Sequence, residues 1–305
     1  MSPADGPLPR ATPSRGQAWL LASRPKTLPA AAAPVLVGSA LAWHDNAFHG
    51  GAALAALLAA LLIQIGTNFV NDLYDFRKGA DTDRRLGPTR ATSAGWLSER
   101  AMVTGIGVSF GLAALLGLYL ILRGGLPILA VGIASLISGW AYTAGPFPLG
   151  YNGLGDLFVF LFFGIIAVVG SYYVQALTTT PVAYLAALPM GALITNILAV
   201  NNTRDAETDQ LAGKRTLAVL LGKGATRLEY ALLNLVAYAL PLWLWWRAEF
   251  ALWILLPLLT LPRAAQLTRT LWRSNDGPTL NGVLAATGQL VLLYALLFAL
   301  GMVAG

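Results

Sequence analysis

Two acidic clusters carry most of the chemistry this sequence could perform. The first is "NFVNDLYDFRKGADTDRR", Asn68 to Arg85, which follows directly on the apolar run "AALAALLAALLIQIGT". The second is "NNTRDAETDQLAGKRTLAVLLGK", Asn201 to Lys223. At an offset of 130 residues, Asn71, Asp75 and Gly79 fall on Asn201, Asp205 and Asp209, a weak internal repeat. Seven of the 14 acids lie in these windows: Asp72, Asp75, Asp81, Asp83, Asp205, Glu207 and Asp209. Residues at i and i+4 share a helix face, so Asn71 points with Asp75, and Asp205 with Asp209. Carboxylates at the C-terminal end of a helix are opposed by the macrodipole and need a compensating cation. The available ligands are Asp and Asn oxygens, and the chain has no cysteine. Such a set selects a hard ion, magnesium or calcium, and magnesium commonly joins one or two carboxylates to a substrate's phosphates. Arg77, Lys78, Arg84 and Arg90 follow the first cluster, and Arg204, Lys214 and Arg215 surround the second. Acids to grip a metal and bases to meet the remaining oxygens suit a metal–diphosphate complex. One such loop alone would read more simply as a basic loop whose acids balance its bases. Two related loops favour the metal–diphosphate reading.

The elements that must position these residues are membrane helices. The chain has 305 residues, 56% hydrophobic and only 11% charged, with mean hydropathy +0.64. Soluble domains carry about 25% charged residues. Apolar runs near 20 residues, the length that crosses about 30 Å of hydrocarbon as a helix, recur along the chain. Nine apolar segments are predicted, at roughly 28–44, 51–71, 101–122, 125–142, 154–174, 182–201, 227–246, 250–266 and 283–304. The eighth is interrupted by Pro257 and Pro262. Residues 1–18 read as a disordered tail without the apolar core of a signal peptide. Residues 19–305 read as one transmembrane domain. "RGQAWLLASRPKTLP" reads as a short interfacial helix with Trp19, Leu20 and Leu21 toward lipid. His44, Asp45 and His49 read as a solvated loop rather than a metal site.

Basic residues set the expected orientation. With the N-terminus inside, 18 of the 20 Lys and Arg fall in inside segments, and only Arg123 and Arg247 fall outside. That division follows the positive-inside pattern, so the net charge of +6 is a topology signal rather than a nucleic-acid signal. Four predicted spans separate the two acidic motifs, so both lie on the cytoplasmic face. The C-terminus is expected outside. The expected fold is an all-α membrane protein: nine transmembrane helices in one bundle with a cytoplasmic-face active site.

A diphosphate handled at a bilayer surface should carry something that belongs in lipid, and a polyisoprenoid tail fits. Magnesium would assist departure of the diphosphate as a Lewis acid. Aromatic faces could steady an allylic cation. The fifth segment, "DLFVFLFFGIIAVVGSYY", offers Phe158, Phe160, Phe162, Phe163, Tyr172 and Tyr173, although packing is the simpler role for most of them.

At these residues the chain resembles the UbiA-type intramembrane aromatic prenyltransferases, which carry NxxxDxxxD after the second helix and DxxxD after the sixth. The resemblance runs from about Ser23 to the end. Within the family it resembles the branch acting on 1,4-dihydroxy-2-naphthoate, through "SRPKTLPAAAAPVLVG", "QIGTNFVNDLYDFRKGADTDRRLGPTRATSAG", "YTAGPFPLGYNGLGDLFVFLFFG" and "NNTRDAETDQLAGKRTLAVLLG". The resemblance implies metal binding by Asn71, Asp75, Asp205 and Asp209, with Asp75, Asp205 and Asp209 catalytic. The third acid of the first motif is Gly79 here, so Asp81 or Asp83 is left to replace it. Asp72 is a further candidate ligand, though on a helix it points about 100° from Asn71. The implied metal is Mg2+, with Mn2+ as an alternative. Diphosphate would meet Lys78, Arg84, Arg90, Arg204, Lys214 and Arg215. The acceptor's carboxylate would meet Arg24 or Lys26, which read equally well as snorkelling anchors. Tyr142 and Tyr151, in a Gly- and Pro-rich loop that fits a lid and ends at Asp156, would complete the acceptor site. The prenyl chain would lie against Asn68, Phe158 and Phe162. The implied partners are a polyprenyl diphosphate, 1,4-dihydroxy-2-naphthoate and the lipid bilayer of the cell membrane, with no nucleic acid. The implied product is demethylmenaquinol, formed with loss of diphosphate and carbon dioxide. Three alternatives are a related enzyme with another acceptor, such as 4-hydroxybenzoate, a cation-coupled transporter, and a structural membrane protein, which would not require paired acidic motifs. A transporter would place acids at mid-span, whereas these lie at span ends. The sequence indicates neither prenyl chain length nor oligomeric state.

Overall fold

The computed structural model describes residues 13–80, 86–248 and 250–305, so Asp81, Asp83 and Arg84 lie outside the described residues. The described residues form helices joined by turns and loops, with no strand among them. In chain order the α-helices are α1 (Arg15–Ser23), α2 (Leu28–His44), α3 (Gly50–Arg77), α4 (Glu99–Gly124), α5 (Leu126–Ala141), α6 (Gly155–Val159), α7 (Ala167–Ala176), α8 (Pro181–Leu211), α9 (Leu217–Leu221), α10 (Lys223–Arg247), α11 (Leu261–Arg273) and α12 (Gly277–Val303). A π-helical stretch, Phe160–Ile166, joins α6 to α7, and a 3-10 stretch, Leu252–Thr260, leads into α11.

Helix starts follow capping chemistry. Ser14 and Gln17 close a capping box on α1, so helix begins inside the stretch expected as tail through residue 18. His49, Ser98, Thr180 and Asp276 each accept a main-chain N–H at the start of α3, α4, α8 and α12. The His49 cap, together with a His44–Asp45 contact of 2.8 Å and a Tyr172 hydroxyl donating to Asp45 at 2.6 Å, makes the His44–His49 loop a hydrogen-bonded corner. One expectation for α1 fails. Trp19 turns inward and packs edge-on against Phe69 at 5.3 Å, leaving Leu20 and Leu21 exposed. Trp19 is separated from buried Ala18 and Ala22 by one and three positions, which puts it on the inward face.

Each of the nine apolar segments falls largely on helix. Among the described residues, six helices are long and apolar enough to cross a membrane: Gly50–Arg77, Glu99–Gly124, Gly155–Ala176, Pro181–Leu211, Lys223–Arg247 and Gly277–Val303. Leu28–His44 and Leu126–Ala141 are shorter, at 17 and 16 residues, and the eighth segment is broken between 3-10 and α-helix at Thr260. Two ends differ usefully from expectation. The apolar runs stop near residues 71 and 201, but α3 continues to Arg77 and α8 to Leu211. Hydropathy marks where the hydrocarbon ends, whereas the backbone ladder runs on until Gly79 and Gly213, at positive φ, cap the two helices. Both acidic motifs are therefore carried on continuous helix.

Helix α8 forms the centre of one half of the bundle, packed against α2, α7, α10, α12 and the π-helical stretch. Helices α3, α4, α5 and α7 form the other half. Helices in the bundle meet at close backbone crossings. A Cβ on Gly164 would lie 2.6 Å from Gly191 Cα and 3.0 Å from its nitrogen, so only glycine lets the π-helical stretch lie against α8. The stretch adds a residue to the turn. It keeps Phe158 stacked on Phe162, at 5.9 Å between ring centroids, on the side away from α8.

Gly164→Ala should destabilise the purified protein by about 1–3 kcal/mol, because the atoms nearest the new methyl are backbone of Gly191 and Ala187 and cannot rotate away. Gly111→Ala, where the new methyl meets nothing within 4 Å, should leave thermal unfolding in detergent unchanged. Equal melting temperatures for the two variants would refute the close crossing.

Candidate active site

The two acidic motifs meet at one end of the bundle, on the last turns of α3 and α8. Asp75 is the hub. Its carboxylate is 5% exposed and accepts from Arg90 Nη2 at 2.8 Å through Oδ2. Through Oδ1 it accepts from the Tyr151 hydroxyl at 2.6 Å. Lys214 follows the end of α8, and its Nζ lies 3.5 Å from Asp75 Oδ1 and 3.6 Å from Asp209 Oδ1. One ammonium thus spans both motifs. The Tyr151 ring packs under two ammonium groups, Lys78 at 4.4 Å and Lys214 at 4.8 Å, so its π face shares their charge. Lys78 Nζ also donates to the Thr143 carbonyl at 2.5 Å, and the Thr143 hydroxyl donates to Asn71 Oδ1. Burial draws the Lys78 ammonium below its usual range; neighbouring Asp75 opposes the shift and Lys214 adds to it. Asn71, Asp75, Lys78, Tyr151, Lys214, Asp209 and Arg90 therefore form one cluster.

Other candidates take different places. Asp72 faces away from this cluster, and its two oxygens accept the main-chain N–H groups of Ala91 and Thr92 at 3.0 and 2.9 Å. Its position one residue after Asn71 turns it to the side where the chain returns, and there it fastens the strap that carries Arg90. Arg204 is also not a free diphosphate ligand. Its side chain is 1% exposed and makes two bonds to Asp205, at 2.7 and 2.5 Å, with further bonds to Asn201 at 2.8 Å and Asn281 at 2.7 Å. Arg215 has an exposed side chain, and its main-chain N–H holds the Tyr151 carbonyl at 2.9 Å. Arg24 and Lys26 flank a turn pinned to α3: Asn68 Nδ2 donates to the Ser23 carbonyl at 2.9 Å and to Thr27 Oγ1 at 3.1 Å. Asn68 is buried by these bonds and also lines the cavity described next.

A largely apolar cavity of about 490 Å³ opens beside the cluster. Asn71 and Tyr142 line its polar end. Along α3 its lining runs from Asn71 back through Asn68, Gln64, Ala60 and Ala56, and across from these lie Phe158 and Phe162. From Ala56 to Asn71 the helix rises about 22 Å, most of the thickness of a hydrocarbon core. The far end closes at Ile121, Ile128 and Val174. Thr143 and Asn281 are the site residues that sequence reasoning missed. Each is a single polar residue outside a repeated pattern, so only contact reveals it.

The donor set suits a hard divalent ion of limited protein coordination. Among the described residues, no group of three acidic or histidine side chains converges closely enough to cage a metal unaided. Two carboxylates from separate helices, Asp75 and Asp209, face a common point occupied by one cationic group. Magnesium held by one or two carboxylates together with phosphate oxygens fits this geometry better than a protein-only calcium cage.

Comparison with known proteins agrees with the geometry. The UbiA prenyltransferase family model matches residues 31–281. A 1,4-dihydroxy-2-naphthoate octaprenyltransferase of Escherichia coli K12 is 39% identical over 297 residues, covering 94% of this chain and 96% of that protein. The Mycobacterium tuberculosis protein of the same name is 38% identical, covering 91% and 94%. Among solved structures, a UbiA homolog from Archaeoglobus fulgidus bound to GPP and Mg2+ superposes with a TM-score of 0.67 at 18% identity, covering 94% of this chain and all of that one. With its apolar helices, its paired acidic motifs and a family match over most of its length, this chain is a multi-pass membrane protein that belongs to the UbiA prenyltransferase family.

Proposed function

We propose that this protein transfers a polyprenyl group from polyprenyl diphosphate to 1,4-dihydroxy-2-naphthoate, giving demethylmenaquinol. The observation that carries this reading is the junction at Asn71. That side chain lines the apolar cavity, while Asp75 one turn on belongs to the ion cluster. A diphosphate at the cluster therefore sends its hydrocarbon tail into the cavity. The names and extensive identity of the Escherichia coli and Mycobacterium tuberculosis relatives support the acceptor.

Lys78, Arg90 and Lys214 would meet diphosphate oxygens, and Asp75 and Asp209 would hold magnesium. Bound magnesium would supply Lewis-acid assistance to the leaving group. Tyr151 holds Asp75 and supports Lys78 and Lys214, so it orders the charges that face the substrate. The apolar walls exclude water from the allylic carbon, and Phe158 and Phe162 present ring surface along its path. As the allylic C–O bond breaks, the ring carbon bearing the carboxylate forms the new C–C bond. Loss of that carboxylate as carbon dioxide returns its bonding pair to the ring and restores aromaticity. Tyr142, at the polar end of the cavity, is the nearest candidate to orient the naphthoate. Nine membrane crossings, with the cluster on the cytoplasmic side and the C-terminus outside, are part of the same reading and rest on the distribution of basic residues.

Activity should require magnesium or manganese and vanish in EDTA. Asp75→Ala, Asp205→Ala and Asp209→Ala should each lose most turnover, measured as radiolabelled prenyl product from protein that still purifies as wild type. Full turnover in EDTA would refute the metal assignment. For the acceptor, the purified protein should convert dihydroxynaphthoate with release of carbon dioxide and give little product from 4-hydroxybenzoate. The second ring adds apolar area to bind, at about 0.8 kcal/mol per methylene-sized piece, and holds the attacking carbon in line. Comparable product from both acids, or a carboxylate retained on the naphthoate, would move the chain to another branch. For orientation, single cysteines near Arg84 and Gly213 should label from the cytoplasmic side of intact cells, and one near Thr179 from the other. Labelling of positions 84 and 213 from opposite sides would overturn the shared face.

A further inference from the structure

Asn281 lies near the start of α12, far in sequence from both acidic motifs, yet it touches Arg204 of the second and the segment that follows the first. Its Oδ1 accepts from Arg204 Nη1 at 2.7 Å, and its Nδ2 donates to the Leu86 carbonyl at 2.9 Å. A guanidinium only donates and a carbonyl only accepts, so these partners fix which way the amide points. On one side, Arg204 carries the contact to Asp205 through two bonds and to Asn201 through a third. On the other, Leu86 begins the strap, residues 86–92, that carries Arg90, and a Cβ on Gly277 of α12 would lie 3.2 Å from the Leu86 side chain. The same strap offers Arg90 to Asp75 at 2.8 Å, and Asp72 holds the N–H groups of Ala91 and Thr92. A continuous route therefore runs from Asp205 through Arg204, Asn281 and the strap to Arg90 and Asp75. It is separate from the Lys214 link between Asp75 and Asp209.

We propose that Asn281 is a positioning residue for prenyl transfer, tying the strap that carries Arg90 to the Arg204–Asp205 pair so that both acidic motifs meet the metal–diphosphate as one unit. The proposal rests on the reading of the cluster as a metal–diphosphate site. It touches the diphosphate side of the reaction and leaves the acceptor side alone. Two substitutions separate its two bonds. Asn281→Asp keeps an acceptor for Arg204 but sets a carboxylate oxygen against the Leu86 carbonyl. Asn281→Leu removes both bonds at similar size. The residue is half-exposed, so neither change leaves a cavity in the core.

The test has two arms. Hydrogen exchange on the purified protein without substrates should show faster exchange at Ala91 and Thr92 in both variants than in wild type. In steady-state assays, the KM for polyprenyl diphosphate and the magnesium concentration for half-activity should rise about tenfold in Asn281→Leu, the scale of one hydrogen bond to a charged group. The rise should be smaller in Asn281→Asp, and the KM for dihydroxynaphthoate should stay at its wild-type value in both. Wild-type exchange at Ala91 and Thr92 in both variants would overturn the proposal, as would an equal rise in KM for both substrates or a fall in kcat alone. If wild-type protein makes no product from dihydroxynaphthoate, the functional reading fails, and the exchange arm still decides whether Asn281 fastens the strap.

Discussion

The structure turns on where the charge of Asp75 goes. The carboxylate sits almost fully buried at the C-terminal end of a membrane helix, where the helix dipole and the loss of water both work against it. Arg90 and Lys214 supply the opposite charge and Tyr151 a hydrogen bond. Removing one partner of a buried pair typically costs about 3–5 kcal/mol, because the other charge is left without compensation. Three separate segments must therefore come to α3: the strap after it, the loop after α5 and the stretch after α8. The ends of the helices are fixed relative to one another by this convergence more than by hydrophobic contact. Helix–helix contact in lipid gives little drive of its own beyond close packing. Close packing is what the crossing of Gly164 with Gly191 supplies at mid-bundle.

Much of the fold was legible because lipid imposes simple rules. Apolar length marked the helices, and the caps at Ser98, Thr180 and Asp276 use residue types that commonly start helices. The pairing of the two motifs was legible through their common spacing, and Lys214 between Asp75 and Asp209 confirms that they meet. Phe158, Phe162 and Asn68 do line the cavity. What the sequence hid was contact. The helix period turns Asp72 about 100° from Asn71, but only contact shows that Asp72 holds the strap while Asp75 joins the cluster. Arg204 looks like any loop arginine, and only the packing of α12 shows that it is enclosed by Asp205, Asn201 and Asn281. Trp19 looked like a lipid anchor because hydrophobicity does not say which apolar surface a side chain meets.

Tyr151 shows how a loop residue can matter to a cluster it does not charge. The loop that carries it is held at both ends. Gly150 N–H donates to the Tyr142 carbonyl at 2.9 Å, and Arg215 N–H donates to the Tyr151 carbonyl at the same distance. Gly153 adopts φ +74°, a left-handed turn open to glycine without strain, and a Cβ there would lie 3.2 Å from the Arg215 carbonyl. The ring is thereby set flat beneath Lys78 and Lys214, and its hydroxyl is set on Asp75. A rigid aromatic under two ammonium groups fixes their spacing without adding a further charge.

The cavity has ions at one end and hydrocarbon along the rest, so it sorts molecules by solubility. On the proposed reading, the two starting materials belong to different phases, and so do the two large products. Diphosphate partitions to water from the ionic end, whereas the prenylated ring, having lost its carboxylate, partitions to oil. Each product leaves toward the phase in which it is soluble, and neither competes for the other's exit. The protein then works at an interface, and the water–lipid boundary keeps its two large products apart.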